Sequence, residues 1–232
     1  MNTEDAIRRG EPGKYRRLSL PILSSTPLPA AHPATCTFAA ALNRRVSGDV
    51  FSSPTNQELS DFLNDVFGIR FIDGNDRNRQ KRSVASMGAL HPAHCLLYRR
   101  DNGWRVYVPE EHSLGLLAVN EANSNQLLEL IDEHLPGQQA AVICLLSDCD
   151  LAANYYENYV PLLFRDAGVL LGHAALVAAA HRLPFRILGR TGTTIAESLV
   201  TGLSFRPLAT GLAVLGSKTA TAPPLASGSV DV

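Results

Sequence analysis

The sequence has almost no net charge, no long uninterrupted apolar run and no paired-cysteine motif. Its 21 basic and 22 acidic residues leave a formal charge of −1. That balance gives no bulk attraction to nucleic acid or to an anionic membrane. Mean hydropathy is near zero. The longest apolar stretch, 169–180, is broken by Gly172 and His173 and is too short to span a bilayer, so it predicts a buried helix. The first residues carry Glu4, Asp5, Arg8 and Arg9 in place of an apolar signal core. The expectation is a cytoplasmic protein that works without nucleic acid or membrane. Cys36, Cys95, Cys144 and Cys149 form no CxxC pair, and Cys144 and Cys149 lack a second pair at metal-ligand spacing. They predict reduced, partly buried thiols and no bound metal. No Rossmann fingerprint is present. Lysine is missing from the whole span between Lys81 and Lys218.

What is present divides the chain into three. Residues 1–35 form a Pro-containing arm, with Pro21, Pro27, Pro29 and Pro33, expected to lie extended on a surface. Residues 36–220 are the folded domain, and 221–232 a Pro/Ser/Gly-rich disordered tail. Within the domain, 38–45 predicts a helix. Thr55 and Glu58 make a capping box ahead of Leu59, Phe62, Leu63, Val66 and Phe67 at helical spacing, with Gly68 as the stop. The stretches 94–100 and 104–108 predict strands joined by Asp101-Asn102-Gly103, a strong hairpin signal. A helix over 123–135 ends at Pro136-Gly137. The apolar run 140–146 predicts a central strand, 162–182 a long helix, and 185–188 and 212–215 the closing strands. A hairpin with long helices and no βαβ alternation predicts an α+β fold.

Three segments can carry chemistry. Arg44, Arg45 and Ser47 put two guanidiniums and a hydroxyl where a helix runs into a loop, which suits a phosphate monoester; a solvated basic face has the same composition. Arg82, Ser86, Gly88, Ala89 and His91 lie in a small-residue loop before the hairpin, where Gly88 allows close approach of a flat ligand or an anion; a structural turn is the plain alternative. Asp166, Gly168, Gly172, Ala175 and Ala179 place small residues about once per helical turn, as close helix packing or a ligand ring requires.

Taken together in order and spacing, these segments resemble the SagB-type branch of the nitroreductase superfamily, the azoline dehydrogenases of thiazole/oxazole-modified peptide biosynthesis. The family's R-x-S-x-R-x-F segment is matched by Arg45, Ser47, Asp49 and Phe51. Its R-x-x-P-S-x-G-x-x-x-P loop is matched by Arg82, Ala85, Ser86, Gly88 and Pro92. Its acidic-small-Gly helix start is matched by Asp166-Ala167-Gly168, and its closing Leu-Gly by Leu215-Gly216. The resemblance covers about 42–218. It implies a nitroreductase-like fold with a mostly antiparallel central sheet flanked by helices, and FMN bound at a dimer interface. It implies that Arg44, Arg45, Ser47 and Lys218 meet the phosphate or ribityl chain, and that Arg82, Ser86, Gly88 and Ala89 line the flavin. It also implies a two-electron oxidation of an azoline to an azole, one proton going to a base and a hydride to the flavin.

Three positions depart from the family pattern. Asp49 stands in place of the second arginine, and an acid repels a phosphate. Ala85 replaces the loop proline. Asn154-Tyr155 stands where the family has Lys-Tyr, and no register shift recovers a lysine. Asn154 can orient a substrate but cannot act as a base; Tyr155 can relay a proton, with Tyr156 and Tyr159 nearby. His91 and His173 are the remaining acid–base candidates, with structural roles as the default. The resemblance therefore leads to an FMN-dependent dehydrogenase acting on a peptide or small amino-acid-derived molecule. Two alternatives stay open: an NAD(P)H-dependent nitro or quinone reductase, and a degenerate, non-catalytic subunit. Either a homodimer or a heterodimer with another nitroreductase-like chain fits.

Overall fold

The computed structural model describes residues 5–10, 19–72 and 80–218; the tail expected over 221–232 and part of the N-terminal arm lie outside them. In chain order come β1 (Ile7–Arg8), β2 (Ile22–Pro27), α1 (Phe38–Arg44), α2 (Asn56–Phe67), β3 (Ile69–Ile72) and β4 (Gln80–Arg82). A 3₁₀ turn, Met87–Ala89, leads into β5 (Ala93–Arg99), β6 (Gly103–Val108), β7 (Ser113–Leu117) and α3 (Glu121–Asp132). Then follow β8 (Ala141–Asp148), α4 (Cys149–Tyr155), β9 (Tyr156–Glu157), α5 (Val160–His181), β10 (Phe185–Leu188), α6 (Thr193–Glu197) and β11 (Pro207–Leu215).

Seven strands form one sheet in the order β10-β11-β8-β5-β6-β7-β2, and every neighbouring pair is antiparallel. With the helices on both faces, this is the α+β architecture read from the sequence. β8 is buried at every position, because an unbroken apolar strand needs cover on both faces. Its side chains alternate between two cores. Ala141, Ile143 and Leu145 join Leu59, Phe62 and Leu63 of α2 and Leu170, Leu171 and Ala174 of α5. Val142, Cys144 and Leu146 join Leu127 and Ile131 of α3 and Ala196 of α6. By length and composition α5 could cross a membrane; half of its most apolar window is buried within the fold.

The segment read as an arm also contributes to the sheet. Ile22–Pro27 pairs with β7 as the edge strand, and all six of its residues are exposed. An alternation signal is weak where neither face is buried, so nothing in the local pattern distinguished this strand from a loop.

The capping box at α2 forms as its sequence predicts. Thr55 N–H donates to Glu58 Oε2 at 2.8 Å, and Glu58 N–H donates to Thr55 Oγ1 at 3.2 Å. Glu58 also accepts from Ser217 Oγ at 2.9 Å and from Lys218 N–H at 2.9 Å, so it ties α2 to the chain leaving β11. Burial pushes its carboxyl up, but the backbone donors of Thr55 and Lys218 and the Thr55 and Ser217 hydroxyls outweigh that, and its pKa lies below the ordinary value. A depressed carboxyl pKa contributes stability above the unfolded value, about 4.3, and loses it as pH falls through the folded value. We expect Glu58→Gln to narrow the stability difference between pH 6 and pH 3 measured by urea unfolding. A variant with the wild-type pH dependence would show that Glu58 does not carry it.

Candidate functional site

The Ser86 loop is fixed by an acid 80 residues away. Ser86 Oγ–H donates to Asp166 Oδ2 at 2.5 Å, and Met87 N–H donates to the same oxygen at 2.8 Å. His91 N–H donates to Ser86 Oγ at 3.0 Å. Asp166 sits near the start of α5 and is buried. Between these anchors three residues take the left-handed region: Gly88 at φ +53°, Ala89 at +57° and His91 at +46°. Only Gly88 does so without steric cost. Positive φ at non-glycine residues persists when the surroundings over-determine it, and it is the kind of strain found at ligand clamps. A cavity of about 20 Å³, bordered by Phe67, Arg82, Val84, Ser86, His91 and Asp166, lies behind the loop. Its volume would admit about one water.

α4 and β9 bring the tyrosines to this loop. Tyr155 is buried with Met87, Leu90, Cys149 and Leu163. Tyr156, half-buried, comes closer to the loop surface: a Cβ placed on Gly88 would lie 2.8 Å from its Oη. Asn154 precedes them at the end of α4. The neighbouring Cys149 offers no thiolate at neutral pH, since burial pushes its pKa up to about 11. Burial likewise pushes Cys144 up to about 12 and Cys95 further up. All four cysteines are free thiols.

Arg44, Arg45, Ser47 and Lys218 gather elsewhere. Gly48 N–H donates to Phe185 O at 3.0 Å and Ser217 N–H to Ser52 O at 2.9 Å, which brings the loop after α1 to the end of β11. Among the described residues no carboxylate pairs with the guanidinium of Arg44 or Arg45. Asp49, the acid expected to repel a phosphate, forms an ion pair with Arg186 of β10 instead. This basic end and the Ser86 loop lie at opposite ends of β8. Ala141 pairs with Leu215 near Lys218, whereas Ser147 pairs with Ala93 beside the loop. Six residue steps at about 3.3 Å separate Ala141 from Ser147 by about 20 Å. The structure therefore places Arg82 and Tyr155 at the Ser86–Ala89 loop, with Asn154 next to Tyr155 in sequence, and places the Arg44–Ser47 segment and Lys218 toward the other end of β8.

Sequence reasoning did not identify Asp166 as the partner of Ser86, Arg186 as the partner of Asp49, or Tyr156 as the phenol next to Gly88. No local spacing could reveal the first two, because the pairs are 80 and 137 residues apart. His173, an acid–base candidate, has its Nε2 3.3 Å from Asp65 O of α2. A larger cavity of about 460 Å³ lies on the other sheet face against α3, and none of the predicted site residues lines it.

No protein-family model matches the chain, and no curated protein does. Solved structures do. A protein of Ralstonia eutropha JMP134, assigned to the nitroreductases, has a TM-score of 0.61 at 17% identity, over 91% of this chain and 99% of that one. The Escherichia coli microcin synthetase McbBCD complex, with truncated pro-MccB17 bound, contains a chain with a TM-score of 0.59 at 17% identity, over 75% of this chain and 68% of that one. A protein of Desulfovibrio desulfuricans, assigned to the nitroreductases and in complex with FMN, has a TM-score of 0.50 at 14% identity, over 85% of this chain and 98% of that one. What such distant sequences share is the arrangement of their elements, and by that arrangement this chain has a nitroreductase-like fold.

Proposed function

We propose that this chain is an FMN-dependent oxidoreductase, a dehydrogenase that oxidises an azoline or related peptide-derived substrate in natural-product biosynthesis. The observation that carries the proposal is the Ser86–His91 loop. Its left-handed backbone is held by Asp166 beside two tyrosines, within a fold whose solved relatives include an FMN complex. The basic end fits a phosphate monoester, because Arg186 takes up Asp49 and leaves Arg44, Arg45, Ser47 and Lys218 to meet the anion. FMN would supply the two-electron chemistry by accepting a hydride, with dioxygen or another acceptor reoxidising it.

The separation of the two groups along β8 supports a paired arrangement. One copy would offer Arg44, Arg45, Ser47 and Lys218, and the other Arg82, Ser86, Gly88 and Ala89, about a two-fold axis. Along α5, Gly168 and Gly172 are exposed, and a Cβ on either would meet nothing within 4 Å, which leaves room for a second helix. In this proposal Asn154 orients the substrate by hydrogen bonds, the phenol oxygen of Tyr155 relays a proton, and the surrounding apolar residues exclude water. The same Asn154 favours a second reading, a non-catalytic subunit paired with a heterologous nitroreductase-like chain, because its amide cannot take up a proton at neutral pH.

We expect the purified full chain to be yellow or to become so with added FMN, and anaerobic NADPH to bleach it slowly. A colourless protein that does not bind FMN overturns the enzyme proposal. Rapid bleaching by NADPH favours a nitro or quinone reductase instead.

A further inference from the structure

Residues 5–10 are seated on the segment that carries Asn154 and Tyr155. Ile7 pairs with Glu157 and Arg8 with Tyr156 in a short antiparallel ladder between β1 and β9. Arg9 completes it from both sides: its N–H donates to Tyr155 O at 2.9 Å, its Nε to Ala153 O at 2.9 Å, and its Nη1 lies 3.3 Å from Glu157 Oε1. Asn158 Nδ2 adds a bond of 3.4 Å to Asp5 O. The side chains contribute little packing. Ile7 is 60% exposed, and Arg8 is exposed as well. Among the described residues the strap is therefore held by main-chain groups, the Asn158 amide and the Arg9 guanidinium, while the side chains of Ile7 and Arg8 face solvent. Directly beneath it, Tyr156 reaches over Gly88.

We propose that the β9 edge is a binding site for an extended peptide bearing a basic side chain, and that residues 5–10 are its built-in occupant. The inference rests on the proposal above that the substrate is peptide-derived. A strand edge recognises any extended main chain through the same ladder bonds, and side-chain pockets supply the selectivity. Here the selective element is the pair formed by Ala153 O and the Glu157 carboxylate. Together they accept from a guanidinium and would do so for an incoming peptide as they do for Arg9. A peptide bound in this way lies along Tyr155, Tyr156 and Glu157, and Tyr156 in turn reaches Gly88 of the Ser86 loop. The tethered strap competes at an effective concentration of about a millimolar, so an incoming peptide binds only by displacing it.

The probe is a fluorescently labelled hexapeptide, Asp-Ala-Ile-Arg-Arg-Gly, with the sequence of residues 5–10. Its anisotropy is measured with the wild-type full chain and with Arg9→Ala, which loosens the strap. We expect Arg9→Ala to bind it about tenfold or more tightly than wild type, and the same peptide with alanine in place of its second arginine to bind about tenfold more weakly. Absence of binding to Arg9→Ala, equal affinity for the two proteins, or indifference to the peptide's arginine overturns the proposal. A second measurement needs no variant. The Arg9 amide, bonded to Tyr155 O, should exchange its hydrogen about tenfold faster in wild-type protein saturated with peptide, and unchanged exchange refutes displacement. Neither readout involves flavin. A colourless protein that binds peptide therefore overturns the cofactor proposal and keeps this one, and a yellow protein blind to peptide does the reverse.

Discussion

Replacing Asp166 with alanine should cost about 3 kcal/mol of stability. The carboxylate is 9% exposed and takes two donors on one oxygen, the Ser86 hydroxyl and the Met87 amide. Hydrogen bonds to a charged acceptor are worth about 1.5–3 kcal/mol each, and a donor left unpaired in the interior adds its own desolvation cost. A water entering the space recovers part of this, which keeps the expected total well below the sum. Urea unfolding should move to a lower midpoint with an unchanged slope. The loop is expected to lose its positive-φ conformation with its anchor, and on the proposed function added FMN should bind about tenfold more weakly. Asp166→Asn keeps one oxygen acceptor and should lose about half as much. Wild-type stability in Asp166→Ala would mean that the loop is held by something else.

The second large effect is expected at Phe62. Its side chain is fully buried, and its ring centre lies 5.8 Å from that of Phe185, tilted by 39°. Phe62→Ala removes most of that volume from a core enclosed by α2, α5 and the sheet, where little can move in to fill it. Substitutions of this kind cost about 3–5 kcal/mol. In a domain of this size that lowers Tm by about 10 °C, readable by calorimetry. Because Phe185 opens β10, the strand that carries Arg186, the loss should also loosen the basic end. Phe62→Leu, which keeps most of the volume, should cost less than half as much. Equal losses in the two variants would contradict this packing account.

Much of the fold could be read from local signals. The Thr55–Glu58 box, Gly68, the turn at Asp101-Asn102-Gly103 and the unbroken apolar run into β8 each dictate structure within a few residues, and each element stands where those signals put it. β11 was only half legible: the expected 212–215 is its buried end, and the strand begins at Pro207. Ser113–Leu117 and the short helices α4 and α6 escaped notice because a Gly-containing strand and a helix of five or seven residues carry little periodicity. The site was legible as residue types but not as partners. Ser86 and Gly88 mark a small-residue loop, yet the acid that fixes the loop is supplied by tertiary folding. Asp49 looked repulsive because its neutralising arginine is distant in sequence and adjacent only across the folded chain.

The spacing of the basic end and the Ser86 loop has a consequence for how such a chain can change. On the proposed pairing, two half-sites at opposite ends of one strand are inherited together but used by different neighbours. In a mixed pair, a chain that loses one half-site still completes the pocket its partner begins. Selection then acts on the pair, and each member is free to drift at the end its partner does not need. On the proposed pairing, Asn154 beside an intact Ser86 loop is the kind of record such a division of labour would leave.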